Sequence, residues 1–180
     1  RSGAFGRRCG PLGRSRDRAL RRMIFEDFTV GDRFTTLPVE FSEDAIIDFA
    51  RRYDPQSFHV DPKAARTSIY GGLIASGWHI LSATFAEAVR LGIFADGGQG
   101  APGLDDVRWL HPVRPGDTLH MTIAVEETIA STTRPDRGYV RLRFDIINQE
   151  QTVVAHYVVR EIFSRRPAVT DPECEKIPGP

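Results

Sequence analysis

The chain has 180 residues, 41% of them hydrophobic, which is enough for one globular domain with an apolar core. Its formal net charge is zero, but residues 1–22 hold eight arginines and a single acid, so the rest of the chain carries a net charge of −7. An acidic body argues against a nucleic-acid-binding fold, which needs a basic face. No apolar run approaches the roughly 20 residues that span a bilayer, so we expect no membrane association.

The two cysteines, Cys9 and Cys174, lie near the two ends of the chain. Their positions form neither a disulfide framework nor the spacing of a metal site. The histidines on the predicted strands are scattered and form no convincing set of metal ligands. We therefore expect a reducing, cytoplasmic location and no bound metal.

The segment before Met23 is rich in arginine and poor in acids, and it allows three interpretations. It is a disordered extension or an upstream translation start, a transit peptide that directs the chain to an organelle, or a basic arm for an anionic partner. We divide the chain into this leader, residues 1–22, a folded domain over residues 23–164 and a proline-containing tail over residues 165–180.

The folded part opens with a turn at residues 31–32 that leads into a strand ending at about Phe41. Ser42 is a plausible N-cap, because two acids follow it in what would be the first helical turn. The helix that it begins runs to about Tyr53 and offers one apolar side to the core.

Asp54 and His59 follow this helix in a segment that a proline and a serine interrupt. The interruption predicts an ordered loop rather than a continuing helix. Such a loop can aim a carboxylate and an imidazole into one pocket, a pair suited to moving protons near neutral pH. Beyond it, Asp61 and Pro62 predict the start of a short helical turn.

A second and longer helix opens at the end of the segment Tyr70–Trp78 and ends near Leu91. Apolar or small side chains lie nearly all round it, which predicts a helix buried on most sides. His79 on this helix is interpreted as a hydrogen-bonded core residue rather than a second base.

From residue 104 onward, apolar and polar residues alternate with a period of two, which is typical of half-buried antiparallel strands in a meander. The predicted fold class is therefore α+β, with one long central helix wrapped by an antiparallel sheet of about five strands.

Four segments in this order resemble the MaoC-like dehydratase or (R)-specific enoyl-CoA hydratase family; they are residues 25–32, 54–62, 71–77 and 112–117. The similarity extends over about residues 24 to 164. It implies the hotdog fold, and one hotdog unit per chain implies a homodimer or a higher homo-oligomer.

The resemblance also implies site residues. Asp54 and His59 match the catalytic aspartate and histidine of the family, and Gly77 matches the glycine whose backbone N–H binds the thioester carbonyl. Addition of water to a conjugated thioester pushes charge onto that oxygen, and an N–H at the start of a helix is suited to stabilise it. Which of Asp54 and His59 is the base and which is the acid stays open.

The chain departs from the family pattern at several positions near this site. Gln56 stands where the family has asparagine, Ser57 where it has proline, and Ser76 where relatives often have histidine. We expect Gln56, Tyr70 and Ser76 to line the pocket without a chemical role.

The implied activity is the reversible hydration of a trans-2-enoyl-CoA to an (R)-3-hydroxyacyl-CoA, or the dehydration of a related acyl thioester, with coenzyme A entering only as part of the substrate. One alternative is a hotdog thioesterase, but such enzymes often carry a carboxylate well inside the central helix, and Glu87 lies near its far end. The other is a non-catalytic module that binds acyl-CoA and uses residues 1–22 as an effector arm.

Overall fold

The computed structural model describes residues 23–167, so the leader and most of the C-terminal tail lie outside the described residues. Within that range the chain forms six strands and four α-helices. The strands are β1 (Arg33–Thr35), β2 (Val39–Phe41), β3 (Leu104–Trp109), β4 (Asp117–Ala130), β5 (Arg137–Ile147) and β6 (Val153–Ser164). The helices are α1 (Glu43–Tyr53), α2 (Ser57–Val60), α3 (Pro62–Ala65) and α4 (Gly77–Arg90).

The sheet is antiparallel, with the strand order β1-β4-β5-β6-β3, and β2 also pairs with β4. Buried and half-exposed residues alternate over residues 118–125 of β4 and along all of β5, as their period of two predicts. In β6 the alternation is broken, because residues 154–155 and 157–159 are buried in succession. In one row across these three strands, Phe144 pairs with Ile123 on one side and with Tyr157 on the other. The rings of Phe144 and Tyr157 stack with their centroids 4.6 Å apart. This face forms the floor on which α4 packs.

The N-terminal strand differs from the prediction because it is split into β1 and β2. Pro38 lies between them, and a proline has no N–H to donate to a neighbouring strand. Thr36 covers part of the gap, since its N–H donates to the Met121 carbonyl and its Oγ1 accepts from the Met121 N–H, each at 2.9 Å. The sheet therefore has six strands where about five were expected.

Helix α1 begins and ends where predicted. The Ser42 hydroxyl accepts a hydrogen bond from the N–H of Ala45 at 3.2 Å, and the helix ends at Tyr53. The segment after it differs, because the expected loop contains the one-turn helix α2, and His59 lies on it. The break is thus confined to the three residues 54–56, and the side chains of Asp54 and His59 come within 3.3 Å of each other across it.

Helix α4 runs over nearly the predicted residues, but it is not buried on most sides. Its inner side packs on the sheet through Ile80, Leu81, Thr84 and Ala88, all of which are buried. Three apolar residues on its outer side are exposed instead, with 57% of Trp78, 37% of Phe85 and 49% of Val89 accessible. The sheet covers only one side of the helix, and nothing else between residues 23 and 167 covers the other.

Candidate active site

Asp54 stands immediately after the last residue of α1, with its N–H still bonded to the Ala50 carbonyl at 2.9 Å. Both of its carboxylate oxygens accept hydrogen bonds. Oδ1 accepts from Nε2 of Gln56 at 2.8 Å, and Oδ2 accepts from the Ser76 hydroxyl at 2.6 Å. Only 17% of the side chain is exposed, so the carboxylate has one defined orientation.

His59 is buried and its ring is held at one nitrogen. Nδ1 lies 2.8 Å from the carbonyl oxygen of Ile74, and a carbonyl can only accept. Nδ1 therefore carries the proton of the neutral ring, and Nε2 is left with a lone pair. That Nε2 lies 3.3 Å from Oδ2 of Asp54. Two hydrogen-bond acceptors then face each other, which is unfavourable. A proton on Nε2, or a water molecule that donates a hydrogen bond to each atom, removes the conflict.

The segment just before α4 anchors this pair. The N–H of Ile74 donates to the Phe58 carbonyl at 3.2 Å, and the N–H of Ala75 donates to the Val113 carbonyl at 2.8 Å. Residues 74–76 are thereby fixed to α2 on one side and to the turn before β4 on the other, and all three are buried. A rigid support of this kind keeps the two reactive side chains in register with the start of α4.

The charge state of Asp54 follows from these contacts. Burial alone would raise the pKa of its carboxyl group, but the hydrogen bonds from Ser76 and Gln56, together with the positive charge that His59 carries when it is protonated, outweigh that effect. The pKa of Asp54 is consequently held below its ordinary value, and the residue is a carboxylate near neutral pH.

Gly77 is the first residue of α4, and its N–H makes no hydrogen bond to any part of the chain between residues 23 and 167. The first N–H groups of a helix point outward and carry its positive end, so this amide is a ready donor for an anionic oxygen. A side chain at this position would collide with the ring of Trp109.

A cavity of about 420 Å³ joins these groups. Its walls include Asp54, Gln56, His59, Tyr70 and Gly77, all of which the sequence placed at the site. Ser76 differs from expectation: it is fully buried behind Asp54 and is absent from the walls, because its hydroxyl turns toward the carboxylate and the helix start.

Most of the apolar wall was not found from the sequence; it consists of Phe58, Ile74, Ala75, Trp78, Ile80, Trp109, Leu110, Pro112 and Val113, and His111 also lines the cavity. These residues come from three separate stretches of the chain, at residue 58, residues 74–80 and residues 109–113, which only the fold brings together. One available signal was Trp109, a large aromatic residue at the end of a strand with little apolar alternation.

Other candidate groups lie away from this chemistry. The ring of His79 stacks on Phe49 with centroids 4.6 Å apart, and burial lowers the pKa of His79 to about 4, so its imidazole is neutral. The expected hydrogen bond is missing at its buried Nδ1, which has no partner in the described residues. Glu87 pairs with Arg90 at the far end of α4.

The part of the chain that the structure describes contains no group of three or more His, Cys, Asp and Glu side chains that could hold a metal ion. Between residues 23 and 167 there is also no helix both long and apolar enough to cross a membrane.

Comparison with known proteins places this geometry in context. Residues 27–142 match the family model described as a MaoC-like domain. The crystal structure of a MaoC-like dehydratase from Rhodospirillum rubrum is 40% identical, with a TM-score of 0.76 over 81% of this chain and 99% of that chain. The uncharacterized protein YdeM from Bacillus subtilis is 29% identical over 132 residues, which are 73% of this chain and 92% of YdeM.

Two more distant structures share the fold. The unliganded (R)-hydratase PhaJ1 from Pseudomonas aeruginosa is 22% identical, with a TM-score of 0.63 over 81% of this chain and 87% of that one. A conserved hypothetical protein from Mycobacterium tuberculosis, described as a double hotdog fold, is 15% identical with a TM-score of 0.67, and the match covers 87% of this chain but 46% of that chain. The predicted hotdog fold is confirmed.

Proposed function

Because this chain belongs to the MaoC-like domain family, we propose that it catalyses reversible hydration and dehydration of an acyl thioester, in which water adds to a trans-2-enoyl-CoA to give an (R)-3-hydroxyacyl-CoA. One observation carries the proposal. Oδ2 of Asp54 and Nε2 of His59 face each other at 3.3 Å in the same cavity as the free N–H of Gly77.

The two acceptors bind the reacting water. A water molecule about 2.8 Å from each atom sits at the apex of a triangle and donates one O–H to Asp54 and the other to His59. Its oxygen lone pair then points into the cavity toward the β-carbon of a bound enoyl group. This arrangement explains why the pair needs one carboxylate and one neutral imidazole with its proton on Nδ1.

The Gly77 amide stabilises the other end of the reacting system. As the water oxygen bonds to the β-carbon, the carbon–carbon double bond opens and negative charge moves onto the thioester oxygen, where the amide and the positive end of α4 stabilise it. One of Asp54 and His59 takes a proton from the water and returns it to the α-carbon. The balance is one hydroxyl on the β-carbon and one hydrogen on the α-carbon, and no metal or further cofactor takes part.

The apolar wall supports an acyl substrate. Phe58, Ile80 and Val113 provide a surface for a hydrocarbon chain. Binding the thioester end at Gly77 would hold the reacting carbons near Asp54 and His59. The R. rubrum relative, named a MaoC-like dehydratase, and the fold shared with an (R)-hydratase are consistent with this class.

We also propose that two copies assemble through α4 and β3. β3 is an end strand of the sheet and carries the exposed apolar residues Leu104 and Trp109. The outer side of α4 carries the exposed Trp78, Phe85 and Val89, and the rings of Trp78 and Trp109 lie 6.0 Å apart. An apolar patch beside an unpaired strand edge is a typical contact surface. The chain covers under half of the double-hotdog protein, so a second copy would supply the missing half.

The thioesterase alternative has less support in the geometry. Glu87 lies roughly 15 Å along α4 from Gly77 and is not in the cavity wall. Its carboxylate is also paired with Arg90. A carboxylate so placed does not reach a carbonyl held at the start of the helix.

A spectrophotometric assay with crotonyl-CoA tests the proposal. We expect loss of the enoyl absorbance without release of free coenzyme A thiol. Thiol release from saturated acyl-CoA would instead indicate the thioesterase, and acyl-CoA binding without either reaction would indicate the non-catalytic module. A panel of short, long and branched enoyl-CoA substrates then defines the preferred acyl chain.

A further inference from the structure

Ser76 makes two hydrogen bonds that fix the direction of its hydroxyl. The N–H of Trp78 donates into its oxygen at 3.2 Å, as at any capped helix start. The single hydroxyl proton is not used in that bond. The Ser76 hydroxyl donates it to Oδ2 of Asp54, and the two oxygens lie 2.6 Å apart. The acceptor is an ionised carboxylate, and hydrogen bonds to ionised groups are stronger than those between neutral groups.

The two partners of Asp54 are not equivalent. Gln56 lies two residues from Asp54 on the same short segment, so its bond moves with that segment. Ser76 lies 22 residues away and is fully buried. Of these two hydrogen-bond donors, only the serine joins the carboxylate to a part of the chain distant in sequence.

The hydrogen bond from Ser76 to Asp54 starts from a segment that also positions the other functional groups. Ser76 precedes Gly77, whose N–H is proposed to bind the thioester oxygen, and it follows by two residues Ile74, whose carbonyl holds His59. The four-residue segment 74–77 thus sets the position of the carboxylate, the imidazole and the amide donor.

We propose that Ser76 is a positioning residue of this site, whose hydroxyl holds the Asp54 carboxylate in its anionic form and at a set distance from the Gly77 amide. The expected effect of Ser76 on the reaction rate rests on the proposed hydration. The expected effect of Ser76 on the titration of Asp54 does not depend on it. Loss of the hydroxyl leaves Oδ2 facing only the ring of His59 and removes a donor that favours the charged carboxylate.

The first experiment needs no activity. In protein labelled with ¹³C at the aspartate carboxyl carbon, the Asp54 signal is assigned by its loss in Asp54→Asn and titrated in the parent, Ser76→Ala and Ser76→Thr. Three other titratable side chains line the cavity: His59 on α2, which faces Asp54, and Tyr70 and His111. The carbon signal belongs to Asp54 alone, so it separates the titration of Asp54 from the titration of these three residues. We expect the midpoint to move to higher pH in Ser76→Ala and to return toward the parent in Ser76→Thr.

Ser42→Ala is the matched control, because it also removes a serine that caps a helix but lies at the far end of α1. It should reproduce the loss of a cap without moving the Asp54 midpoint. Should Ser76→Ala fail to fold, Ser76→Cys keeps the buried volume with a much weaker donor and is expected to shift the midpoint in the same direction. An unmoved midpoint in the folded variants would overturn the inference.

The second experiment measures rate. We expect Ser76→Ala to lower kcat/KM for crotonyl-CoA about tenfold to hundredfold, as loss of one hydrogen bond to a charged group does, and to move the acidic limb of the pH profile upward. Ser76→Thr, which keeps a hydroxyl, should retain most of the parental kcat/KM. If the parent hydrates no enoyl-CoA, the proposed function fails while the titration still decides the role of Ser76. If the parent is active and Ser76→Ala loses no more than Ser42→Ala, the inference fails alone.

Discussion

The indole ring of Trp109 lies against the α-carbon of Gly77, so closely that a methyl group on this glycine would overlap the ring. The start of α4 and the end of β3 are therefore in direct contact at the cavity. Glycine is needed here for space, and the same lack of a side chain leaves the amide open to the cavity.

Gly77→Ala should lower turnover about a hundredfold, because the ring or the helix start must move and misplacement near 1 Å can cost that much. Steady-state hydration of crotonyl-CoA measures the effect. Gly103→Ala is the matched control, since nothing lies within 4 Å of a side chain there. Combining Gly77→Ala with Trp109→Ala removes the overlap between the methyl group and the ring. The loss of turnover in the double variant should therefore be smaller than the product of the losses in the two single variants. Parental turnover in Gly77→Ala would contradict the steric requirement for glycine at this position, since alanine keeps the backbone N–H.

Asp54→Asn and His59→Ala should each reduce kcat by about 10²- to 10⁴-fold, the range for loss of a positioned acid or base. Asn keeps an oxygen that can accept from Ser76, so the fold should survive that change. Loss of enoyl absorbance gives the rate, and circular dichroism confirms the fold. Asp48→Asn, an exposed aspartate on α1, is the control and should be as active as the parent. Hydration at the parental rate in both site variants would exclude their proposed roles.

Stability should depend on pH through His79. Burial lowers the pKa of His79 from 6.5 to about 4, so between these values the unfolded chain binds the proton and the folded chain does not. The free energy of unfolding therefore decreases as pH falls through this window, with a slope from this group of up to about 1.4 kcal/mol per pH unit.

His79→Phe keeps an aromatic ring stacked on Phe49 and removes both the titration and the unpaired Nδ1. We expect urea unfolding of this variant to vary less between pH 7 and pH 5 than unfolding of the parent. The parent and the variant share all their other titrating groups, so the contribution of those groups cancels in the difference between the two pH dependences. An identical pH dependence in the two proteins would show that His79 is not protonated on unfolding.

Replacing Trp109 with lysine should convert the proposed homodimer into monomers, because it places a charge in the centre of the exposed apolar patch beside β3. Light scattering coupled to size-exclusion chromatography gives the mass directly. Val30→Lys alters an apolar residue on the N-terminal turn that is somewhat more exposed than Trp109, and it should leave the mass unchanged. A parent that is already monomeric at high concentration would rule out the assembly.

The elements with a clear local signal were predictable from the sequence. The cap at Ser42, the end of α1 at Tyr53 and the long alternating strands all appear where their patterns indicated. The same patterns could not show that Pro38 divides the first strand, since the division matters only beside the partner strand β4. Nor could they show that α4 is covered on one side only, because a helix pattern does not reveal what packs against it.

For the site, the sequence placed Asp54, His59 and Gly77 near one another by resemblance, and the structure brings them to one cavity. It did not reveal that Ser76 bonds to Asp54, because serine before a helix is already explained as a cap. The second hydrogen bond joins residues 22 positions apart, and only the folded backbone brings such pairs together. Apolar walls built from several segments are hidden from sequence for the same reason.

The chain contains two tryptophans, and both stand at the mouth of the cavity with ring centroids 6.0 Å apart. Tryptophan emission from this protein therefore originates at one place, which lines the proposed substrate cavity and belongs to the proposed contact between two copies. Any occupant that covers these indoles changes their surroundings from water to apolar groups. Intrinsic fluorescence can thus follow binding or association without an attached dye, and the dependence of the signal on protein concentration distinguishes the two events.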